Sequence, residues 1–411
     1  MAHLLVVELP GGNDVDILMA AEARGDVFSF LTADLAHYQL QPEVWAWVSK
    51  ARHFLDGQDF DPTYLHPLVQ TLHERDPIEA LLCLQDVRLV ESSRLANILG
   101  LRYLNPLTAQ RLRDKYLVRQ KLAQAGFEQP EFALATSNAE LQQAVSSMGL
   151  PLLIKPADGY GSQNVIALQT PIDLDPWMTP LDTMLPSHQD YGLGVKANDR
   201  MLVERFMTGQ VIGCDTFSRD GQHLLLGVNE KLFFDPPSFA IKGGCFRPNT
   251  GQFLELQNYV EKLLDAVDFD IGAAHIEIMA TEEGYRLIEI NPRLVGAKIG
   301  RLISHALGFS VHQELIALHL GIPLNLQGPS RFASTRWLVA DREGEIAQLR
   351  LPEESHDLIL ESAMFKHAGD SVRRPIENVD RIGYVMTAGE TSAQADSAAE
   401  TWISRCEIHY K

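Results

Sequence analysis

Cysteine is scarce in this 411-residue chain: Cys83, Cys214, Cys245 and Cys406 are the full set, far apart and in no C-x-x-C pair. That argues against a disulfide framework and for free thiols in a reducing compartment. Basic charge is also in short supply, with 35 Lys and Arg against 54 Asp and Glu and a net charge of −19. A protein that lives on phosphate backbones needs a basic surface, so nucleic acid is excluded as a partner. A nucleotide is not excluded, because such a site is local and brings its own cations. No long apolar run is present. The most apolar late stretch, 303–326, is broken by His305, His312, Gln313, Glu314 and Pro323, which rules it out as a membrane span. The first apolar run, residues 4–9, is too short for a secretory h-region and has no basic segment before it, so the expected location is the cytoplasm. The chain has no G-x-x-x-x-G-K-[ST] loop, no full G-x-G-x-x-G after its first strand, no repeat and no low-complexity tract.

What remains is an ordinary globular balance, 45% hydrophobic and 22% charged, long enough for two or three domains. Residues 4–9, 27–31 and 80–84 read as buried strands with helical segments between them, a small α/β domain over 1–107. Gly11-Gly12 after the first strand reads as a turn. Asn105-Pro106 marks a break, Thr108 is placed to cap a helix running through Lys115 to Ala125, and Gly126 stops it. From Pro151 the pattern is strand-rich. Residues 152–155 and 201–204 are apolar strands ending on a charge, and the Pro- and Asp-rich residues 171–199 read as an insertion or loop. Residues 275–278 and 285–290 alternate with period two around a Thr-Glu-Glu-Gly turn, a β-hairpin. After residue 330 a strand at 382–387 and a helix at 393–406 make a small C-terminal α/β unit.

Three constellations carry chemistry. A hairpin centred on Glu283 sets Glu277 opposite Glu289, and two facing carboxylates repel unless a cation lies between them. Asn291, two residues on, shares the face of Glu289 and adds an oxygen donor, the kind of ligand Mg²⁺ takes. Arg293 follows directly. A fixed guanidinium there suits a carboxylate or a transferring phosphoryl group. His275 shares the face of Glu277 and is a candidate to assist an amine. The second constellation is Lys155 at a strand end followed by a loop with Gly159 and Gly161-Ser162, whose backbone can approach a phosphate. The third is Glu204-Arg205-Phe206-Met207, a strand end suited to one wall of an adenine pocket.

In this order, these pieces resemble the ATP-grasp superfamily, and within it the carboxylate–amine ligases close to the L-amino acid ligases that make dipeptides. The resemblance implies an α/β (α+β) ATP-grasp fold with three parts. These are an N-terminal Rossmann-like domain over 1–107, an ATP-grasp domain over 108–330 whose segment 108–205 includes a mobile lid, and a C-terminal α/β unit over 331–411. It implies that Lys115 and Lys155 contact ATP phosphates, that the loop with Gly161 and Ser162 closes over them, and that Glu204 and the Phe206 backbone hold adenine. Glu277, Glu289 and Asn291 would carry one or two Mg²⁺, with Mn²⁺ as a substitute. Arg293 and Lys155 would be catalytic, and Cys245, Arg247, His275 and Arg293 would face the substrates. Those substrates are expected to be a small carboxylate and an amine, with amino acids foremost. ADP and phosphate would be released through an acyl phosphate, and dimers, common among such ligases, make a homodimer a possible assembly. A carboxylase or nucleotide-precursor ligase on the same fold, or a non-catalytic ATP-binding module, are the alternatives. Three positions depart from the family pattern. Val211 stands where a ribose-binding Glu is common, with Asp215 as a possible replacement. Cys245 stands where those ligases tend to have His, and Gly296-Ala297 replaces a commoner Gly-Gly.

Overall fold

The computed structural model describes residues 1–159, 165–169, 200–234, 240–352, 357–376 and 378–411. The N-terminal part is a parallel sheet of β1 (His3–Val7), β2 (Val27–Thr32), β3 (Phe54–Asp56) and β4 (Ala80–Cys83), in the order β3-β2-β1-β4. Every residue of β1 and β4 is buried, as expected for short apolar runs covered on both faces. The turn after β4 carries Asp86, at the carboxyl end of the strands, where ligands gather in open α/β sheets.

The expected single helix around Lys115 is two helices. Asn105, not Thr108, caps Pro106–Leu112, its side chain accepting from the Leu107 amide at 2.9 Å. Asp114 then caps Lys115–Gln124, accepting from the amides of Tyr116 and Leu117 at 2.9 and 3.1 Å. A carboxylate that takes two backbone donors breaks the helix before it and starts a new one after it. Lys115 thereby becomes the first helical residue, and Gly126, at φ +80°, follows the end of the helix. A small antiparallel sheet follows, made of β5 (Phe132–Ala135), β6 (Leu152–Pro156), β7 (Ile166–Leu168) and β8 (Met201–Arg205), in the order β5-β8-β6-β7.

The largest sheet described has eight strands. From residue 210 onward the strands in chain order are β9 (Gln210–Arg219), β10 (Gln222–Phe233), β11 (Ile241–Pro248), β12 (Gly272–Thr281), β13 (Gly284–Asn291) and β14 (Phe332–Val339). Then come β15 (Gly344–Arg350), β16 (Ile359–Met364), β17 (Ser371–Val372), β18 (Arg381–Gly389) and β19 (Glu407–Tyr410). The spatial order is β13-β12-β9-β10-β11-β14-β18-β16, while β17-β15-β19 form a separate three-stranded sheet. The C-terminal unit placed at 331–411 is therefore joined to the middle of the chain, through the antiparallel β11–β14 pairing. One face of the long sheet packs on the helices Ile299–Leu307 and Val311–His319, and its C-terminal half carries the helix Ser392–Ser404 on the other. Among the described residues, no helix is long and apolar enough to cross a membrane.

Candidate nucleotide and metal site

The β12–β13 hairpin does bring Glu277 opposite Glu289, by a route the strand pattern alone did not show. The turn is tighter than expected: Thr281 pairs with Gly284, leaving only Glu282 and Glu283 between the strands. With that register alone, Glu289 would point into the apolar core beside Ile276 and Ile278. A one-residue bulge at Ile288 restores the pairing, with Ile278 opposite Leu287 and Glu277 opposite Glu289. The guanidinium of Arg119 donates to the Ile288 carbonyl at 3.3 Å and so meets the bulged backbone.

Each of the two carboxylates meets a lysine. Lys231 of β10 forms an ion pair with Glu277, and the Lys115 Nζ lies 3.4 Å from Glu289 Oε2. Burial pushes the Glu277 carboxyl upward, but Lys231 and His275 outweigh it and hold the group well below the usual carboxylate range. His275 is buried, with Nδ1 donating to Asp215 Oδ1 at 2.9 Å and Nε2 facing Glu277 Oε1 at 3.6 Å. Burial lowers its pKa, yet Asp215 and Glu277 win and raise it above the ordinary histidine value. Gly213 lies across from Glu277 on β9, and a Cβ there would stand 2.6 Å from His275 Cε1. The glycine leaves the room that the imidazole fills.

Lys115 is stitched to the end of β6: its amide donates to Ala157 O at 2.8 Å, and its Nζ donates to the Gly159 carbonyl. Burial lowers its pKa, with Glu289 opposing and Arg113 and Lys155 adding to the shift. Lys155 sits deeper, with Nζ 2.5 Å from Glu204 Oε1, while Arg119 Nε donates to Glu204 Oε2 at 3.0 Å. All three side chains are buried, and two cations on one carboxylate leave an excess positive charge. A charge so placed favours an anionic ligand close by.

Asn291 Nδ2 donates to Glu289 Oε1 at 3.1 Å, and its Oδ1 accepts from Arg293 Nη2 at 3.5 Å. Arg293 in turn donates from Nε and Nη2 to Asp86 Oδ2, at 2.7 and 2.5 Å. This contact spans the N-terminal sheet and the ATP-grasp part. Asp86, Arg113, Lys115, Gly159, Glu289 and Asn291 line one cleft between the two.

The structure thus brings Lys115, His275, Glu277, Glu289, Asn291 and Arg293 together, with Lys155 and Glu204 on the adjoining small sheet. It sets Cys245 and Arg247, the other two residues expected to face the substrates, apart from them. On β11 these residues alternate with Gly244 and Phe246, and the register places them on the opposite face of the sheet from Glu277. Arg247 bonds Glu230 at 2.8 Å, and the buried Cys245 thiol is pushed up to about 12, chiefly by burial and then by Asp396. Asp215, considered for ribose, is committed to His275 instead. The Phe206 amide donates to Pro151 O at 3.1 Å, and the Glu204 carboxylate is held by its two cations. Gly161 and Ser162 lie outside the described residues. Sequence reasoning missed Asp86, Arg119 and Lys231. For Lys231 the signal was its place on the strand one removed from the hairpin, and for Arg119 its position one helical turn after Lys115.

Two carboxylates and an amide oxygen make an all-oxygen donor set fitted to a hard divalent cation whose remaining ligands are phosphate oxygens. Among the described residues, no group of three or more His, Cys, Asp or Glu is placed to hold a metal. A small antiparallel sheet and a large one, enclosing a lysine-lined cleft beside paired glutamates, define an ATP-grasp fold. Residues 148–301 match the family model of the ATP-grasp domain, and residues 336–411 that of the L-amino acid ligase C-terminal domain 2. The chain therefore carries an ATP-grasp domain and an L-amino acid ligase C-terminal domain 2, and it spans about 60% of the length of the first relative below; proteins of the ATP-grasp class use ATP and Mg²⁺.

It is similar to an uncharacterized protein of Sinorhizobium fredii, 29% identical over 302 residues, covering 71% of this chain and 60% of that one. It is also similar to an L-arginine-specific L-amino acid ligase of Bacillus subtilis, 24% identical over 323 residues, 76% of this chain and 75% of the relative. Among solved structures, an L-amino acid ligase from Bacillus licheniformis shares the fold with a TM-score of 0.78 at 17% identity, covering 100% of this chain and 99% of that one.

Proposed function

We propose that the protein joins the carboxylate of an amino acid to an amine, with ATP converted to ADP and phosphate through an acyl phosphate. The observation that carries this reading is the register-opposed pair Glu277 and Glu289 on the cleft face, beside Lys115 and Arg293. A carboxylate oxygen attacks the γ-phosphorus, and the bond to the β–γ bridging oxygen breaks as ADP leaves. The amine then attacks the acyl carbon, phosphate departs with the C–O bond, and the nitrogen loses a proton.

The first step sets an anion against a polyanion, so charge neutralisation decides its rate. Lys115 and Lys155 stand where the phosphates would lie, and Arg293 where the reacting carboxylate would. Losing one such contact costs roughly 3 kcal/mol, about 10²-fold in rate. Glu277, Glu289 and Asn291 would hold one or two Mg²⁺, or Mn²⁺ in its place. The metal supplies charge neutralisation on the phosphoryl oxygens. His275, fixed by Asp215, orients the Glu277 carboxylate. The four free cysteines fit a reducing compartment such as the cytoplasm.

The test is to incubate the protein with ATP, Mg²⁺ and the twenty amino acids, singly and in pairs, measuring ADP, AMP and phosphate. ADP and phosphate with a new amide product are expected for at least one pair. AMP formation, or no phosphate from any pair, would end the reading.

A further inference from the structure

The helix Lys115–Gln124 lies beside β13, the outermost strand of the large sheet, and touches it at two consecutive residues. Lys115 meets Glu289, and Arg119, one helical turn on, meets Ile288. Ile288 is the bulged residue. It has no partner in the β12–β13 ladder, and no further strand of that sheet covers β13. Its carbonyl accepts from Arg119 Nη2 at 3.3 Å. The same guanidinium donates from Nε to Glu204 Oε2 at 3.0 Å and from Nη1 to Gln129 Oε1 at 2.9 Å. Arg119 is almost wholly buried. One planar group thus spends its donors on the small sheet, on the segment leading into that sheet and on the bulge of the hairpin.

We propose that Arg119 is a positioning residue for the metal site, fixing the bulge at Ile288 and through it the direction of Glu289. The inference rests on the reading of Glu277, Glu289 and Asn291 as Mg²⁺ ligands and adds a residue that touches none of the metal-facing atoms. A bulge re-aims the side chain that follows it, and a slip of one residue turns that side chain to the opposite face of the sheet. On an outermost strand the bulged backbone needs an anchor from outside the ladder. Lys115 does not supply it, because its Nζ sits on the Glu289 carboxylate itself, where a metal takes its place. Arg119 holds backbone and stays when the metal arrives. Lysine at this position is no substitute: a guanidinium is a rigid fork that serves several acceptors, whereas an ammonium is a single point that Glu204 retains. Groups that orient a metal ligand from behind are typically worth about 10- to 100-fold in metal affinity.

The experiment is calorimetry on the full chain with a non-hydrolysable ATP analogue, with and without Mg²⁺, in wild type and Arg119→Lys. Wild type is expected to bind the analogue at least about tenfold more tightly with Mg²⁺ than without it. In Arg119→Lys that advantage falls by about tenfold, while binding without Mg²⁺ stays within about threefold. An advantage unchanged in Arg119→Lys overturns the proposal and leaves the metal and ligase readings standing. Equal weakening with and without Mg²⁺ also overturns it, since Arg119 then serves the nucleotide and not Glu289. Wild-type binding that Mg²⁺ does not tighten removes the metal reading, and the proposal with it. The ligase reading is decided separately, by phosphate release. Should Arg119→Lys fail to fold, Arg119→Met takes its place in the same comparison. It leaves Lys155 and Glu204 as a neutral pair, and loss or retention of the Mg²⁺ advantage decides in the same way.

Discussion

On one face of the eight-stranded sheet, Asp215, Lys231, His275, Glu277 and Glu289 stand across four neighbouring strands. On the other face, Glu230, Arg247, Cys245, Ser334 and Arg336 stand across three. The residue types are much alike, but the surroundings are not. The first set opens on the cleft shared with Lys115 and Asp86, so its charges are answered by lysines that a ligand can replace. The second set is answered from within. Arg247 pairs with Glu230, and the buried Arg336 bonds Asp396 at 2.7 Å, Glu400 at 3.2 Å and Ser334 at 2.8 Å. A charge whose partners are all protein holds structure together, and one whose partner is replaceable is available for chemistry.

The sharpest way to break the comparison is to truncate one charge on each face. Glu289→Ala is expected to lower phosphate release by about 10³-fold or more, while Arg247→Ala changes it by less than about threefold. Similar losses in both would show that the two faces do not differ in role.

A second test concerns the helix Val311–His319, which packs on the cleft side of the sheet and against β4. His319 is buried there, donates from Nδ1 to Arg102 O at 2.9 Å and stacks on Tyr103, and burial lowers its pKa to about 4. The native state keeps it neutral, while the unfolded chain binds a proton near pH 6.5. Its contribution is therefore complete above that pH and is lost as pH falls toward about 4, roughly 3 kcal/mol in all. Denaturant melts of wild type and His319→Gln across that range check it, the variant losing less stability on acidification.

On the structural face, Asp396→Ala leaves Arg336 with Glu400, which is more exposed. A loss of about 2 kcal/mol is expected in denaturant melts, with turnover per folded molecule unchanged. The smallest effect is expected from Gly213→Ala, whose Cβ would press on the His275 ring. About 1 kcal/mol of stability and roughly tenfold in turnover should go. Full activity in that variant would show that the His275 position is unimportant to the cleft face.

Period-two alternation was enough to place Glu277 and Glu289 on facing strands, because side-chain direction in a strand is local. The same reasoning did not count the residues in the turn or see the bulge at Ile288, and the right pair emerged because the two differences cancel. Thr108 was read as a cap because it follows the Asn105-Pro106 break, whereas the Asn105 and Asp114 side chains make the actual capping bonds. Cys245 and Arg247 were drawn toward the substrate by their motif. Which face of β11 looks onto the cleft depends on its register with β10 and on the helix Ser392–Ser404, and neither is visible within the motif.

By itself the sequence determined the chemistry at hand: oxygen donors spaced for one strand face, lysines ending apolar strands, an arginine after the metal segment, and no basic surface or membrane span. These follow from residue type and short-range geometry. Only the tertiary structure decided which charges meet. Arg293 reaches Asp86 across 207 residues, Lys231 reaches Glu277 across 46, and Arg119 reaches the bulged Ile288 across 169. Contacts at such separations depend on how sheets and helices pack, and hydrophobic burial sets that packing over the whole chain before any local pattern can express it.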